Sequence, residues 1–142
     1  MGPVSFPYTI TDTLGNTDDT TVQINILNSN PIALDDSATT PANIPVVLDL
    51  LGNDSDPNGH TLNITSINGV TLTSGVAQSI LVPNGIVTVS STGVITFIPD
   101  PLYTGPTGFP YTISDGNGGT DTANVSIDVL NTDPVAVDNY YT

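Results

Sequence analysis

The stretch that decides the fold is TDTANVSIDVL, residues 120–130, in which apolar side chains fall on every second position. Val125, Ile127 and Val129 alternate with polar residues, and a period of two indicates a half-buried β-strand. Runs of the same kind, rich in Val, Ile and Thr, recur along the chain between turn-forming Gly, Asn and Pro. No stretch has the period of an amphipathic helix. The pattern predicts an all-β chain with about seven strands in roughly 100 residues, which is typical of an antiparallel β-sandwich.

The chain contains an internal repeat. The segment from Gly2 to Thr39 reappears from Gly105 to Thr142 with an offset of 103 residues, and 19 of the 38 aligned positions are identical without a gap. The polar linkers 28–31 and 131–134 both end in Pro, which favours an extended stretch at that point. The predicted division of the chain is residues 1–30 for the C-terminal strands of a preceding repeat, 31–131 for a complete repeat, and 132–142 for the first strand of a following repeat.

The composition excludes several classes of partner. The chain has no Lys and no Arg, and all fourteen acidic residues are Asp, so the formal net charge is −14 at pH 7. Lys and Arg make the phosphate contacts of nucleic-acid and anionic-membrane binding, so we expect neither partner. The absence of Cys excludes disulfides and thiolate chemistry. A hydrophobic fraction of 37% is enough for a core, and no apolar run reaches the roughly 18 residues of a membrane span. We therefore expect a soluble segment with no membrane insertion.

One acidic loop has the arrangement of a calcium site. Asn53, Asp54, Asp56 and Asn58 supply oxygen side chains just before Gly59, in a D-x-D-x-N-G pattern. In a curved loop, successive oxygens of this kind can point at one centre. The chain has no Glu to act as a bidentate twelfth ligand and no predicted flanking helices, so the loop is not an EF-hand.

Two further groups of oxygen side chains complete the set of candidate metal ligands. The second group is Asp115, Asn117 and Asp121, and the third is Asp35 and Asp36, just after the linker. Closely spaced carboxylates repel each other, and without Lys or Arg they are compensated by water, backbone amides or a divalent cation. We predict that at least one group binds Ca²⁺, because oxygen ligands favour hard cations. The alternative is that these Asp and Asn residues only form solvated turns.

The remaining conspicuous residues are given structural roles. His60 follows the acidic loop and is predicted to be an exposed turn residue, because one His without a second His or Cys makes a poor transition-metal site. Phe109 and Tyr111 are predicted to pack in a sheet, with Pro110 between them marking an edge strand or a bulge. No nucleophile and base fall into a recognisable catalytic pattern, so we expect the chain not to be an enzyme.

Four stretches, taken in order, carry a resemblance to a known family: Pro31–Asp36, Gly52–Gly59, Gly93–Pro99 and Tyr111–Asp121. They resemble the tandem immunoglobulin-like or cadherin-like repeats of large secreted bacterial adhesins, including the repeats-in-toxin type. The resemblance implies an Ig-like sandwich, Ca²⁺ as the cofactor, and calcium-stiffened extender domains that hold an adhesive tip away from the cell. Two positions depart from the family pattern. His60 stands where the loop usually has another Asp, and the first copy reads Asp12–Asn16 in place of DGNGG.

These observations lead to one main functional hypothesis and two alternatives. The main hypothesis is a secreted, cell-surface repeat whose neighbours are other repeats or copies of itself. Calcium on Asp54 and Asp56 in the loop, and on Asp35 and Asp36 at the linker, would fix the angle between units. The first alternative is a filament subunit assembled by β-strand donation between copies. The second is a calcium-assisted glycan-binding module, although the chain has no Trp for a stacking platform.

Overall fold

The computed structural model describes residues 2–140; Met1, Tyr141 and Thr142 lie outside the described residues. Within that range the chain forms eleven β-strands and no helix, so no helix there is long and apolar enough to cross a membrane. The strands are β1 (Gly2–Thr11), β2 (Thr17–Ile26), β3 (Asp36–Pro41), β4 (Val46–Leu48), β5 (Asn63–Ile67), β6 (Val70–Thr71), β7 (Gln78–Val82), β8 (Gly85–Val89), β9 (Ile95–Pro99), β10 (Gly105–Ser114) and β11 (Thr120–Leu130).

Strands β3 to β11 form two sheets. One sheet has five strands in the order β3-β11-β10-β5-β6, and the other has four in the order β4-β9-β8-β7. Every pairing is antiparallel except that of β3 with β11. The predicted all-β sandwich is confirmed. It has nine strands where about seven were predicted, because β4 and β6 are only three and two residues long and leave little periodic signal in the sequence.

The core lies between the two sheets. The alternation that identified β11 places Val125, Ile127 and Val129 inside, while their polar neighbours face solvent. Phe97 of β9 and Tyr111 of β10 are the largest fully buried side chains, so the prediction that Tyr111 packs in a sheet is correct. Burial of these aliphatic and aromatic groups is the main stabilising contribution to such a sandwich.

Pro110 is not on an edge strand as predicted. It lies in β10, which pairs with β11 on one side and β5 on the other. Pro is tolerated because pairing with β5 begins one residue later, at Tyr111, and the Pro110 carbonyl accepts a hydrogen bond from the Asn68 backbone amide at 2.8 Å. The expected bulge is present in the same strand, between Thr112 and Ile113.

Strands β1 and β2 form a separate two-stranded sheet that repeats the geometry of β10 and β11. Gly2 pairs with Ile26 as Gly105 pairs with Val129, which is the same register after the offset of 103. The two hairpins differ in burial: side chains that are buried in β10 and β11 are exposed at the equivalent positions of β1 and β2. The division of the chain into 1–30, 31–131 and 132–142 stays a prediction.

The segment between β2 and β3, residues 27–35, lies against the sandwich, and we call this whole segment the linker from here on. Ile32 and Ser55 exchange backbone hydrogen bonds of 2.8 and 3.0 Å, which joins the linker to the acidic loop of residues 53–60. Residues 131–140 follow β11 and contain no assigned strand. The predicted first strand of a following repeat includes Tyr141 and Thr142, which lie outside the described residues.

Candidate functional site

Asp and Asn side chains hold the linker in place by accepting hydrogen bonds from its backbone amides. Three linker amides donate to side-chain oxygens of the sandwich at 2.8 Å, and two of the acceptors are carboxylates. Hydrogen bonds to charged acceptors are stronger than neutral ones, so the path of the linker is well determined. The pairs are Ser29 with Asn58 Oδ1, Ala33 with Asp121 Oδ2, and Leu34 with Asp54 Oδ1.

Asp56 organises the acidic loop from inside. Its Oδ1 atom accepts the backbone amides of Asn58 at 2.8 Å and His60 at 3.0 Å, which is the pattern of an Asx-turn, and Gly59 supplies the positive φ of 75°. The Asp56 side chain is only 1% exposed, and its Oδ1 lies 3.3 Å from Nδ1 of His60. The second carboxylate oxygen, Oδ2, is buried without a hydrogen-bond partner.

Asp115 organises the loop between β10 and β11 in the same way. Its Oδ1 atom accepts the amides of Asn117 at 2.8 Å and Gly119 at 2.9 Å. Its Oδ2 atom accepts a hydrogen bond of 2.5 Å from Nδ2 of Asn28, in the linker. Asp115 is 3% exposed, so this hydrogen bond joins the linker to a buried carboxylate.

The acidic loop, the β10–β11 loop and the linker bring four side chains together at the joint between the β1–β2 hairpin and the sandwich. We call Asn28, Asp56, His60 and Asp115 the joint cluster. Ligand atoms of the last three all lie within 4.8 Å of one another, and this is the one group of three such residues found in the range 2–140. Three atoms of the cluster are buried without a hydrogen-bond partner: Asn28 Oδ1, Asp56 Oδ2 and His60 Nδ1.

The joint cluster has more acceptors than donors. Leaving a buried polar group unpaired costs about 1–3 kcal/mol, and the full sequence has no Lys or Arg to approach the two carboxylates. The Asn28 amide is the largest factor that lowers the pKa of Asp115, followed by the amides of Asn117 and Gly119 against the opposing effect of burial. Asp115 is therefore held as an anion, and a bound cation would satisfy the unpaired oxygens.

A second acidic group surrounds Tyr111, and we call Tyr111, Asp36 and Asp54 the tyrosine cluster. The Tyr111 hydroxyl lies 2.9 Å from the Leu50 carbonyl oxygen, 3.1 Å from that of Leu34, and 3.3 Å from both carboxylate oxygens of Asp54. The hydroxyl has one proton for all of these acceptors. Asp36 Oδ2 is buried and unpaired.

Burial shifts the two titrating groups of the tyrosine cluster in the same direction. Burial is the largest cause of the raised pKa of Asp36, and repulsion by the Asp54 and Asp49 carboxylates raises that pKa further. Burial also raises the pKa of Tyr111, and the neighbouring carboxylates raise it further. The phenol therefore stays neutral and acts as a donor.

The structure divides the predicted ligands instead of collecting them around one centre. Asp56 and Asp115 meet in the joint cluster, whereas Asp36 and Asp54 lie in the tyrosine cluster. The expectation that the oxygens of residues 53–59 point at one metal centre stays a prediction; in the structure the Asp54 carboxylate accepts the Leu34 amide, whereas Asp56 lies in the joint cluster. The other predicted ligands make hydrogen bonds to backbone groups. Three of them accept backbone amides: Asp35 from Asn124, Asp121 from Ala33, and Asn58 from Ser29. The other two donate to backbone carbonyls: Asn53 to Asp35, and Asn117 to Asp115.

Sequence reasoning missed three contributors. Asn28 falls in a predicted turn, although its recurrence as Asn131 after 103 residues is a usable signal. The prediction that His60 is an exposed turn residue is wrong, because its side chain is only 24% exposed and faces Asp56. The hydrogen bond from the His60 backbone amide to the Asp56 carboxylate folds the loop back and places the side chain there. Tyr111 is in the core as predicted, but nothing in the pattern indicates its polar contacts.

Comparison with known proteins identifies the sandwich. Residues 28–128 match a family model described as bacterial Ig domain. The match begins at Asn28, so it includes the linker as well as the nine strands up to Asp128 in β11. No curated protein matches the chain significantly.

Two solved structures match the chain, each with a TM-score below 0.5. One is a nucleoside hydrolase-related hypothetical protein from Saccharophagus degradans that is associated with carbohydrate metabolism. It is 22% identical, and the match covers 72% of this chain and 26% of that one with a TM-score of 0.42. The other is an endo-fucoidan hydrolase from glycoside hydrolase family 107, with 14% identity, 90% and 22% coverage, and a TM-score of 0.43. This chain spans about a quarter of either protein, and their activities are not carried over to it.

Proposed function

This chain belongs to the bacterial Ig domain family, and from that premise we propose that it is a structural extender repeat of a secreted bacterial surface adhesin of the repeats-in-toxin type, with calcium stiffening the joint between repeats. Bacterial Ig domains are typically extracellular or exposed at the surface, where dissolved calcium is plentiful. The proposed role is mechanical and not catalytic, and the neighbours are further repeats of the same protein.

One observation carries the proposal: two side-chain oxygens buried at the joint, Asn28 Oδ1 and Asp56 Oδ2, have no hydrogen-bond partner. Among the described residues, four buried side-chain oxygens or nitrogens are unpaired, and three of them belong to the joint cluster. Asp56, Asp115 and Asn28 offer two carboxylates and an amide oxygen, which are the ligand types that calcium prefers. His60 adds a nitrogen beside them, which calcium seldom uses, so we assign it the role of a neighbour and not a ligand.

A cation at this position would connect three separate pieces of chain. Asn28 belongs to the linker, Asp56 to the acidic loop and Asp115 to the loop between β10 and β11. Rotation of the hairpin about the linker moves Asn28 away from both carboxylates, so a bound cation opposes that rotation. Without the cation the joint keeps only its hydrogen bonds, so the proposed role of calcium is to stiffen a linker that those hydrogen bonds already dock.

The test is a thermal unfolding series in chelator, calcium, magnesium and zinc at matched ionic strength. Calcium at about a hundred times its Kd stabilises the folded state by about 2.7 kcal/mol. For a domain of this size we expect a rise in Tm of roughly 10 °C, at about 4 °C per kcal/mol. Magnesium should have a much smaller effect, because the joint cluster does not offer an octahedral set.

Matched variants identify the site. Asp56→Asn should abolish the response to calcium, whereas Asp128→Asn, which makes the same charge change on the exposed face of β11, should retain it. Equal Tm values in chelator and calcium would refute calcium binding. If only zinc raises the Tm, and His60→Ala removes that rise, the site binds a metal that prefers nitrogen ligands, and the calcium proposal is refuted.

A second candidate function, the filament subunit, is favoured by the exposed face of the hairpin. Phe6, Tyr8 and Ile10 are about half exposed, and Ile24 and Ile26 on β2 extend the same apolar surface. At the equivalent positions of β10 and β11 these groups are buried under the second sheet. We propose that the remaining strands of a preceding repeat cover this surface, and in the filament alternative a second copy of the chain covers it.

Sedimentation velocity distinguishes between the two proposals for what covers the apolar face of the hairpin, the strands of a preceding repeat or a second copy of the chain. A tandem repeat should sediment as a monomer over a hundredfold range of concentration, with or without calcium. A filament subunit should form larger species as concentration rises, and Phe6→Ser should abolish them. Monomeric behaviour throughout would exclude strand donation between copies.

A further inference from the structure

The loop that joins β1 to β2 and the loop that joins β10 to β11 have the same internal hydrogen bonds. The Asp12 amide donates to the Asn16 carbonyl at 2.9 Å, and the Asp115 amide donates to the Gly119 carbonyl at 3.2 Å. In each loop the Asp Oδ1 atom accepts the amides two and four residues further along, at 2.8 to 2.9 Å. The two loops are therefore built alike up to the second carboxylate oxygen.

The second oxygen has a different partner in the two loops. Asp115 Oδ2 accepts Nδ2 of Asn28, which comes from the linker. Asp12 Oδ2 accepts Nδ2 of Asn16, which belongs to the same loop, at 2.7 Å. Asn16 occupies the position that Gly119 occupies in the second loop. In the β1–β2 loop the Asp12 carboxylate is thus satisfied by a residue of the same loop, whereas in the β10–β11 loop the Asp115 carboxylate is available to the linker.

Gly119 is buried at the point where the linker passes. A Cβ added there would overlap Asp115 Oδ2 and would lie 3.0 Å from Cδ of Pro31, in the linker. The backbone of Gly119 is not in the left-handed region, so a residue with a side chain can adopt its conformation. An Asn at this position would compete with Asn28 for the carboxylate and with Pro31 for space.

From this comparison we propose that the residue at the end of the loop decides whether the preceding linker docks on a repeat. Glycine, as in Gly119, leaves a docking surface for an asparagine-containing linker and gives a locked joint. Asparagine, as in Asn16, closes the loop on itself and gives a free joint. The inference rests on the proposed tandem arrangement, and it adds that the joints along the protein differ in stiffness.

The experiment measures amide hydrogen exchange by NMR in chelator, where no cation contributes. In the parent chain the amides of Ser29, Ala33 and Leu34 should be protected, because each donates to a side chain of the sandwich. In Gly119→Asn the exchange of these amides should rise by about tenfold or more, which corresponds to losing a hydrogen bond to a charged acceptor. Amides of β11 serve as the reference for a folded sandwich.

Three further variants sharpen the test. Asn28→Ala removes the docked side chain without touching the sandwich, and it should raise exchange as much as Gly119→Asn does. The double variant should exchange no faster than either single one, because both remove the same contact. Thr120→Asn adds an Asn one residue further on, at an exposed position, and should leave linker exchange unchanged.

The outcomes are distinct from those of the calcium test. Fast linker exchange in the parent chain in chelator, unchanged exchange in Gly119→Asn, or additive effects in the double variant would each overturn the inference. A chain that shows the expected exchange pattern and no Tm response to calcium would refute calcium binding and leave the docking rule in place.

Discussion

Ile113 and Ile10 are the same residue at the same position of two equivalent hairpins, and they differ in what covers them. Ile113 of β10 is 0% exposed, whereas Ile10 of β1 is 59% exposed. Replacing a fully buried Ile by Ala costs about 2–5 kcal/mol, because the lost transfer free energy is increased by the cavity left behind. At the half-exposed position there is no cavity and less than half of the burial is lost, so we expect about 1 kcal/mol or less.

The pair is measured by chemical denaturation and thermal unfolding in the same buffer. Both variants make the same substitution, and the expected difference between them comes from the burial of the side chain. Ile113→Ala should lower the Tm by at least about 8 °C relative to the parent chain, at roughly 4 °C per kcal/mol, and Ile10→Ala by a few degrees at most. Equal losses would refute the conclusion that the hairpin face is uncovered. Equal losses only at high protein concentration would indicate that a second copy covers it.

Three further predictions concern the polar groups. Tyr111→Phe should lower the free energy of unfolding by about 1–3 kcal/mol, because it leaves the buried Leu50 carbonyl without a donor; denaturation without a measurable change would contradict this. Asp36 has a raised pKa in the folded state, so its ionised form destabilises the fold as the pH rises above the ordinary value of 3.8. Asp36→Asn should therefore raise the Tm at pH 7 in chelator, with a gain that shrinks in acid, and a constant gain at all pH values would be inconsistent with this cause. The hydrogen bond from the Asn16 side chain is the largest cause of the lowered pKa of Asp12. The stability that ionised Asp12 gives its loop is therefore present above pH 3.8, and it is lost as the pH falls through the lowered pKa of the folded state. Exchange of the Asn16 amide should accelerate below that point, and Asp12→Asn should remove the acid dependence.

The fold follows from local pattern, and for that reason it was predictable. The alternation in β11 is a property of eleven consecutive residues, and it fixes which side chains face the second sheet. The offset of 103 residues in the sequence marks β1 and β2 as the counterpart of β10 and β11, and the strand register confirms that the two hairpins are paired alike. Strands β4 and β6 could not be predicted, because two or three residues carry no usable period.

The site was only partly predictable, because it depends on residues far apart in the chain. Asp56 and Asp115 were chosen for their oxygen side chains, yet their meeting depends on how the two sheets pack. Asn28 reaches Asp115 across 87 positions of sequence, and no local pattern encodes that contact. Spacing within the acidic loop predicted one metal centre for Asp54 and Asp56. In the structure the Asp54 carboxylate accepts a hydrogen bond from the Leu34 backbone amide of the linker, a contact that the spacing does not indicate.

The composition explains why the joint is closed by an asparagine. A chain without Lys or Arg cannot form ion pairs between its repeats except through one His, so each carboxylate at a joint must be matched by amides or by a cation. An amide donor such as Asn28 gives a directional contact that does not depend on salt in the way an ion pair does. Its own oxygen is then left buried and unpaired, which is the condition that a hard cation satisfies. The same residue thus makes docking possible without calcium, and under the proposed function its oxygen would be one ligand for calcium once the linker is docked. An Asn28→Asp variant tests this argument: it keeps an oxygen ligand but replaces the donor with a third carboxylate, so the linker should be released in chelator and should dock again when calcium is added.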